Sequence, residues 1–171
     1  SANTLLNVNG SLHIHGVYIP GSISFNSVIF LFNGNQVAGS TRSITFSFGL
    51  YSLNDSTLSL ANSASLSRSF TAGEGLSWMT MNTSTTQDIT PGNWWFAFGT
   101  SRNGGGAGAG YGAVVNSNLG TTLGAVHSGL FIFGKATASF TAMPGSIATS
   151  DLSKGDTTLV LQNQPYIVIS A

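Results

Sequence analysis

The sequence predicts an all-β fold, a two-sheet antiparallel sandwich of the jelly-roll type. Three observations lead to this prediction. Apolar and polar residues alternate with period two in several segments, which is typical of strands that bury one face. Short connectors rich in Gly, Pro, Asn and Asp separate these segments. No segment has the spacing of an amphipathic helix, and paired sheets protect strand edges that would otherwise be exposed.

Four segments alternate clearly, and each is predicted to be a strand with one face in water. The longest is RSITFSFGL at residues 42–50, where Ile44, Phe46, Phe48 and Leu50 alternate with smaller or polar residues. The other three are residues 22–26 with Ile23 and Phe25, residues 57–60 with Leu58 and Leu60, and residues 94–98 with Trp94, Phe96 and Phe98.

Three short runs are apolar on both faces: VIFLF at residues 28–32, LFIF at 130–133 and YIVI at 166–169. Their β-branched and aromatic residues favour strands over helices. A strand that is apolar on both faces must be covered twice. In a small domain the second cover is often another subunit, so these runs suggest self-association.

The connectors fix the number of strands. Tight-turn signals occur at residues 20–22, 33–35, 53–56, 90–93, 143–146 and 153–156. Their spacing predicts about ten to twelve strands, as in a sandwich or barrel. Residues 60–70 are the nearest candidate for a helix, but their Ser and Asn disfavour helix interiors. Residues 102–112 and 116–129 are predicted to be long surface loops.

Charged residues are unusually scarce. Only 6% of the residues are Asp, Glu, Lys or Arg, whereas about 25% is ordinary. The five basic and five acidic residues cancel. So few cations cannot neutralise a row of phosphates or attach the chain to an acidic membrane, so neither nucleic acid nor a membrane is an expected partner.

The 171 residues contain no cysteine and are expected to form one domain over residues 1–171. Disulfides and thiolate metal sites are therefore excluded. No apolar run is long enough for a transmembrane helix, and the N-terminus does not resemble a signal peptide. The chain begins with Ser1, and we expect it to be either processed or cut from a longer protein, for example as its C-terminal domain.

The glycine-rich stretch RNGGGAGAGYG at residues 102–112 is the candidate binding loop. Glycines allow backbone groups to approach a ligand closely. Arg102 can form a forked contact with a carboxylate or phosphate, Tyr111 can stack on a sugar, and Asn103 lies beside them. The simpler interpretation is a flexible tip. A dinucleotide site is rejected because no helix follows the glycines, and no cofactor is expected.

His13 and His15 lie two residues apart on a predicted strand, where two imidazoles on one face could share a metal ion. No third ligand accompanies them, so two solvent-facing histidines are the preferred interpretation, and no metal site is predicted. Trp94 and Trp95 are adjacent, which predicts that they point to opposite faces of a strand. With Trp78, they are candidates for a core, a subunit interface or a sugar site.

Two segments resemble a known group of proteins. FGLYSLNDSTLSLANSASLS at residues 48–67 and DITPGNWWFAFGTS at residues 88–101 resemble virion surface proteins of uncultured tailed phages. The ending QPYIVISA, residues 164–171, resembles the C-terminus of such a protein. The Pro-Gly-x-aromatic strand is also similar to the jelly rolls of complement globular heads and tumour necrosis factor, which are trimers. The resemblance implies no catalytic residues.

The expected function follows from this resemblance. It implies a non-enzymatic homotrimer on the virion surface, extracellular after release, that acts as a fibre, a knob or a capsid or tail decoration. Its partners would be other virion proteins and a host-surface glycan. The alternative is a carbohydrate-binding module or lectin of a secreted bacterial protein. A glycan hydrolase ranks last, because every acidic residue lies next to a turn signal: Asp55, Glu74, Asp88, Asp151 and Asp156.

Overall fold

A computed structural model of the chain describes residues 12–33, 42–71, 74–103, 113–114, 133–136, 142–153 and 167–170. For some residues inside strands it describes the backbone alone, among them His13, His15, Arg42, Arg102 and Asn103. The described part contains eleven strands: β1 (Leu12–Ile19), β2 (Ile23–Asn33), β3 (Arg42–Asn54), β4 (Thr57–Phe70), β5 (Leu76–Ile89), β6 (Gly92–Asn103), β7 (Ala113–Val114), β8 (Phe133–Ala136), β9 (Ser146–Ala148), β10 (Leu152–Ser153) and β11 (Ile167–Ser170).

The fold is all-β, with two antiparallel sheets packed against each other as a sandwich. The large sheet has the order β10-β8-β1-β6-β3-β4-β9. In the small sheet β2 pairs with β5 on one edge and with β11 and β7 on the other. The described residues contain no α-helix, only a 3₁₀ turn at Thr149–Asp151. None of their helical segments is long and apolar enough to cross a membrane.

The first six strands pair in a nested order. β3 pairs with β4, β2 with β5, and β1 with β6, so each later strand returns to an earlier one. The inner and outer pairs belong to the large sheet and the middle pair to the small sheet. The contact between β3 and β6 joins the two pairs of the large sheet. The chain therefore crosses between the sheets at β1–β2, β2–β3, β4–β5 and β5–β6.

The main core lies between the two sheets and is rich in phenylalanine. Phe30 and Phe32 of β2 face Phe46 of β3, with ring centroids 4.8 and 4.9 Å apart. Phe32 also packs on Phe70 at 4.5 Å, and Phe30 packs on Phe98 at 5.1 Å. All five side chains are fully buried. Such tilted and edge-on ring pairs add to the free energy gained by burying the rings.

A second core lies on the other face of the large sheet. Its buried members are Leu12, Ile14, Tyr51, Leu58, Trp95, Ala97, Ile147 and Leu152. Residues 142–153, the cover segment, supply Ile147 and Leu152 and also place Met143 against this cluster. The hydroxyl of Tyr51 donates a hydrogen bond of 2.8 Å to the carbonyl oxygen of Pro144, which holds the cover segment on the sheet.

The large sheet curls around this second core. β9 and β10 are its two outermost strands, yet only Thr149–Asp151 separates them along the chain. A flat sheet of seven strands would hold its edge strands about 29 Å apart at about 4.8 Å per step. Four Cα–Cα steps span about 15 Å at most. The two edge strands, β9 and β10, must therefore lie close to each other, which requires the sheet to curl.

The expectation of one wet face is wrong for residues 47–50 of β3 and 95–99 of β6. Ser47 is buried beside Phe46 and Phe48, and Trp95 and Ala97 are buried beside Phe96 and Phe98. The reason is the second core, which covers the face of the sheet that the alternation left for water. The alternation within a strand indicates which residues of the large sheet pack in the main core. The opposite face of that sheet is buried by residues of the cover segment, which are distant in sequence.

The VIFLF run is a strand, as predicted, and its two faces have different surroundings. Phe30 and Phe32 belong to the main core between the two sheets. Ile29 and Leu31 are only half-buried on the outer face of the small sheet. Trp78 lies directly opposite Leu31 on β5 and is 60% exposed. These three residues form the outer apolar strip.

Other sequence predictions are confirmed. Residues 60–70 belong to strand β4 rather than to a helix, and the described part of the chain alone contains eleven strands. The turns predicted at residues 20–22, 53–56, 90–93 and 143–146 all separate strands. Residues 116–129, and all of the LFIF run except Phe133, lie outside the described residues.

Candidate ligand-binding end

The two ends of the sandwich are built differently. At the hairpin end, residues 20–22, 55–56 and 90–91 connect β1 to β2, β3 to β4 and β5 to β6. At the loop end, residues 34–41, 71–75 and 104–112 connect β2 to β3, β4 to β5 and β6 to β7. Short connections thus alternate with longer ones along the chain. Binding residues in sandwiches often lie on such longer connections.

Local turn chemistry fixes the hairpin end. Asp55 has a φ of 52° in the turn between β3 and β4, a conformation that Asp and Asn tolerate better than most residues. Gly92 has a φ of 141°, which favours glycine. The hydroxyl and the backbone N–H of Thr149 donate hydrogen bonds of 3.0 and 2.8 Å to the carbonyl oxygen of Ser56. The cover segment is thereby attached to the hairpin tip.

Aromatic packing and one ion pair fix the loop end. Phe32 near the end of β2 packs on Phe70 at the end of β4, so both sheets end at the same level. Beyond Phe70, the carboxylate of Glu74 accepts hydrogen bonds from the backbone N–H of Thr71 at 2.8 Å and from its hydroxyl at 3.0 Å. The same carboxylate lies 3.0 Å from the guanidinium of Arg68. Glu74 therefore links the connection between β4 and β5, where the chain passes from one sheet to the other, to strand β4.

Arg68 spans the rim of the main core. Its guanidinium lies 4.8 Å from the centre of the Phe70 ring, and its Nη1 donates to the sulfur of Met79 at 3.2 Å. Met79 belongs to β5, so Arg68 links the edges of the two sheets. The Arg68 side chain as a whole remains 41% exposed. It can therefore contact a ligand while its stem packs on the core.

Hydrogen bonding lowers the pKa of Glu74. The backbone N–H of Thr71 has the largest effect, followed by the Thr71 hydroxyl and then by the positive charge of Arg68. All three favour the ionised carboxylate. Glu74 is therefore a fixed anion next to Arg68 over the whole neutral range.

The structure places the predicted residues Arg102 and Asn103 on β6 rather than in a loop. The backbone of Arg102 pairs with Ile44, and that of Asn103 pairs with Ser43. Tyr111 and the glycines at residues 104–110 lie outside the described residues. Strand β6 ends at Asn103, and the next described residue, Ala113, pairs by its backbone with Asn33 of β2.

Cross-strand register brings together arginines that are distant in sequence. Ile44 lies directly opposite Arg102 on one side and Arg68 on the other. Arg42 is two residues along β3 and pairs with Phe70. All three arginines of the chain therefore lie within two residues of one row at the loop end. Two strand spacings, about 10 Å, separate the backbones of Arg68 and Arg102.

Sequence reasoning found Arg102 but missed Arg68, Arg42 and Glu74. The three arginines are separated by tens of positions, and no local motif connects them. Only the strand register places them side by side. One signal was available in the sequence. In a chain with only five basic residues, each arginine is a notable candidate for binding an anion.

The other candidate residues have different outcomes. Trp94 and Trp95 point to opposite faces as predicted: Trp95 is in the second core, while Trp94 packs on the main core and donates to the Thr90 carbonyl oxygen at 2.9 Å. The backbones of His13 and His15 pair with Phe98 and Phe96 on β6. Among the described residues, no group of three or more His, Cys, Asp or Glu could hold a metal ion.

The expectation that each acidic residue occupies a turn is wrong for one of them. Asp55, Glu74 and Asp151 lie in or beside turns. Asp88 instead lies inside strand β5, opposite Ser24, whose hydroxyl donates a hydrogen bond to its carboxylate. Asp156 lies outside the described residues. The cross-strand serine explains how β5 accommodates an acid near its end.

Comparison with known proteins adds no family. A scan against protein-family models and a search of curated proteins find no match for this chain. The resemblance to phage surface proteins therefore stays a prediction.

Proposed function

We propose that this chain is a non-catalytic adhesive domain on the surface of a tailed-phage virion. In this proposal the domain is a homotrimeric jelly roll that presents its loop end to the host surface. The virion location rests on the sequence resemblance of residues 48–67 and 88–101. The observation that carries the adhesive role is the division of the sandwich into a tightly turned hairpin end and a loop end that gathers the arginines.

The strand order supports a jelly roll. In that architecture an antiparallel ribbon of nested strand pairs wraps around a core, and successive pairs join alternate sheets. The pairs β1–β6, β2–β5 and β3–β4 follow this pattern. Because successive strands run in opposite directions, every second connection along the chain lies at the same end, and these are the longer ones.

The outer apolar strip supports the trimer. Ile29, Leu31 and Trp78 lie on one face of the small sheet, and an exposed apolar strip of this kind is typical of a protein interface. Trp is among the residues enriched at interface centres. Three weak binding ends on one trimer would also strengthen attachment through avidity.

Trp78 also favours a second candidate, the carbohydrate-binding module. An exposed indole on a flat sheet face is a surface on which a sugar ring can stack. Mass measurement separates the two roles. In a trimer built on the strip, Trp78→Ser yields a monomer, whereas in a sugar site it abolishes glycan binding without changing the mass. Tyr18→Ser, which alters another exposed aromatic residue (55% exposed), is the matched control.

Antibody labelling of intact phage particles tests the virion location. The particles are those of a phage whose genome encodes this chain, and the antibody is raised against the purified domain. We expect label on the particle surface, with portal, terminase or tail genes near the coding sequence. Particles that lack the protein, together with its recovery from the secreted fraction of a bacterium, would contradict the proposal and favour the lectin.

A further inference from the structure

Apart from Lys135 on β8, the charges of the described residues are divided between the two ends of the sandwich. Asp55 lies at the tip of the β3–β4 hairpin, Asp88 is next to the last residue of β5, and Asp151 ends the 3₁₀ turn attached to Ser56. All three are at the hairpin end. Arg42, Arg68 and Arg102 are at the loop end, where Glu74 is the acid placed among them.

This division matters because the chain has few other charges. Only five basic and five acidic residues occur in 171 positions. Surface charges within about 8–10 Å of each other act together at ordinary salt concentrations, and more distant ones are screened. The backbones of the three arginines fall within about this distance at typical strand spacing. The loop end is therefore locally positive although the protein as a whole is neutral.

We propose that the loop end binds an anionic group of a host-surface glycan, a carboxylate, sulfate or phosphate, through the row formed by Arg68 and Arg102. The inference rests on the proposed adhesive function and names its ligand class. Guanidinium groups suit this task because their planar donors match the oxygens of such anions. Arg42 adds positive charge two residues along the same strand.

Glu74 has a specific part in this proposal. Its carboxylate already occupies one side of the Arg68 guanidinium at 3.0 Å, so it acts as an internal competitor for the glycan anion. Changing Glu74 to Gln removes the competing charge but keeps an amide oxygen that can accept from the Thr71 N–H. The substitution therefore raises affinity instead of destroying it, which is an outcome that simple damage to the fold cannot produce.

The test measures binding of the purified domain to three immobilised polymers by interferometry: polygalacturonate, dextran sulfate and unmodified dextran. We expect binding to at least one charged polymer at about 0.01 M salt and weaker binding at about 0.15 M. Unmodified dextran should not bind. Binding to polygalacturonate alone would identify a carboxylate ligand, and binding to dextran sulfate alone a sulfate or phosphate ligand.

Four variants locate the site. Glu74→Gln should tighten binding by about two- to five-fold, the range for an exposed charge pair. Arg68→Gln and Arg102→Gln should each weaken it. Asp55→Asn is the matched control, because it removes the same charge at the hairpin end and Asn tolerates the positive φ. It should leave binding unchanged. Thermal unfolding of each variant identifies any that fails to fold.

Two results would overturn the inference. One is the absence of binding to either charged polymer at low salt. The other is an Asp55→Asn effect as large as that of Glu74→Gln, which would mean that only net charge matters. A negative result for the anionic ligand can be distinguished from a negative result for the proposed function. Labelled virions whose domain ignores both polymers would refute the anionic ligand alone, whereas polymer binding by a protein absent from virions would refute the virion role alone.

Discussion

The hairpin end and the loop end use different means to join the same two sheets. At the hairpin end, two- and three-residue connections and the cover segment hold the strands, and the charges are acidic. At the loop end, the Phe32–Phe70 contact and the Arg68–Glu74 pair hold the sheets together, and the charges are mainly cationic. The comparison teaches that turn chemistry and the cover segment fix the hairpin end, whereas side-chain contacts between the two sheets fix the loop end.

The largest stability effect is expected beside the second core. A methyl group on Gly49 would lie 2.7 Å from the Tyr51 ring and 2.9 Å from the Met143 sulfur. Gly49→Ala should therefore lower the free energy of unfolding by about 1–3 kcal/mol, the usual cost of overpacking. Gly21→Ala is the control, since nothing lies within 4 Å of its added carbon. Equal denaturation midpoints for the two variants would show that the cover segment is not packed as described.

A smaller effect is expected when the cover segment loses its hydrogen bond. Tyr51→Phe removes the hydroxyl that donates to Pro144, which should cost about 1 kcal/mol of unfolding free energy. Burial raises the pKa of Tyr51, so the folded state favours the neutral phenol. Its stabilising effect is complete below the ordinary pKa of about 10 and is lost as the pH rises above it.

Thermal unfolding between about pH 9 and pH 11.5 checks this prediction. The wild-type unfolding temperature should fall across this range, and that of Tyr51→Phe should fall less. Tyr18→Phe, which alters an exposed tyrosine, should follow the wild type. Parallel curves for Tyr51→Phe and the wild type would contradict the role given to Tyr51.

The smallest effect concerns the loop end in acid. The folded-state pKa of Glu74 lies below its ordinary value of 4.5, so its contribution is present above that pH and is lost as the pH falls through the lower value. Glu74→Gln should lower the stability slightly at neutral pH, and for that reason it should lose less stability than the wild type on acidification. Wild type and variant with identical acid unfolding curves would argue against the Arg68–Glu74–Thr71 network.

Between mildly acidic and mildly alkaline pH the unfolding temperature should vary little, because few groups of the protein titrate in that range. A steep change between mildly acidic and mildly alkaline buffers would contradict this expectation and would implicate His13, His15 or His127. Far-ultraviolet circular dichroism in matched buffers is sufficient to measure it.

The sequence predicted the fold class because alternation and turn chemistry are local. Phe46 and Phe48 alternate with small residues, and Asp55 and Gly92 mark tight turns, so strands and hairpins could be located without partners. The second core could not be predicted. Tyr51 is buried against Met143 and Pro144, 92 and 93 residues further along the chain, and no periodicity within β3 reports that contact.

The candidate site was predicted in part for the same reason. Arg102 was identified because it borders a glycine run, which is a local signal. Its proximity to Arg68 depends on both residues pairing with Ile44, and pairing register is a property of the assembled sheet. The paired role of Glu74 likewise required the reversal between β4 and β5 to be known.

Adsorption of two replacement variants to host cells tests the central claim most directly. One variant changes Arg68 and Arg102 to Gln and replaces residues 103–110 with a short turn, and the other replaces Asp55 and Ser56 with Asn-Gly, a sequence suited to a tight hairpin. Mass in solution is measured for both. The account predicts that the loop-end variant keeps the trimer mass but loses adsorption, while the hairpin-end variant keeps both. If the loop-end variant keeps the trimer mass and adsorbs to host cells as well as the wild type does, the claim that the loop end binds the host is contradicted.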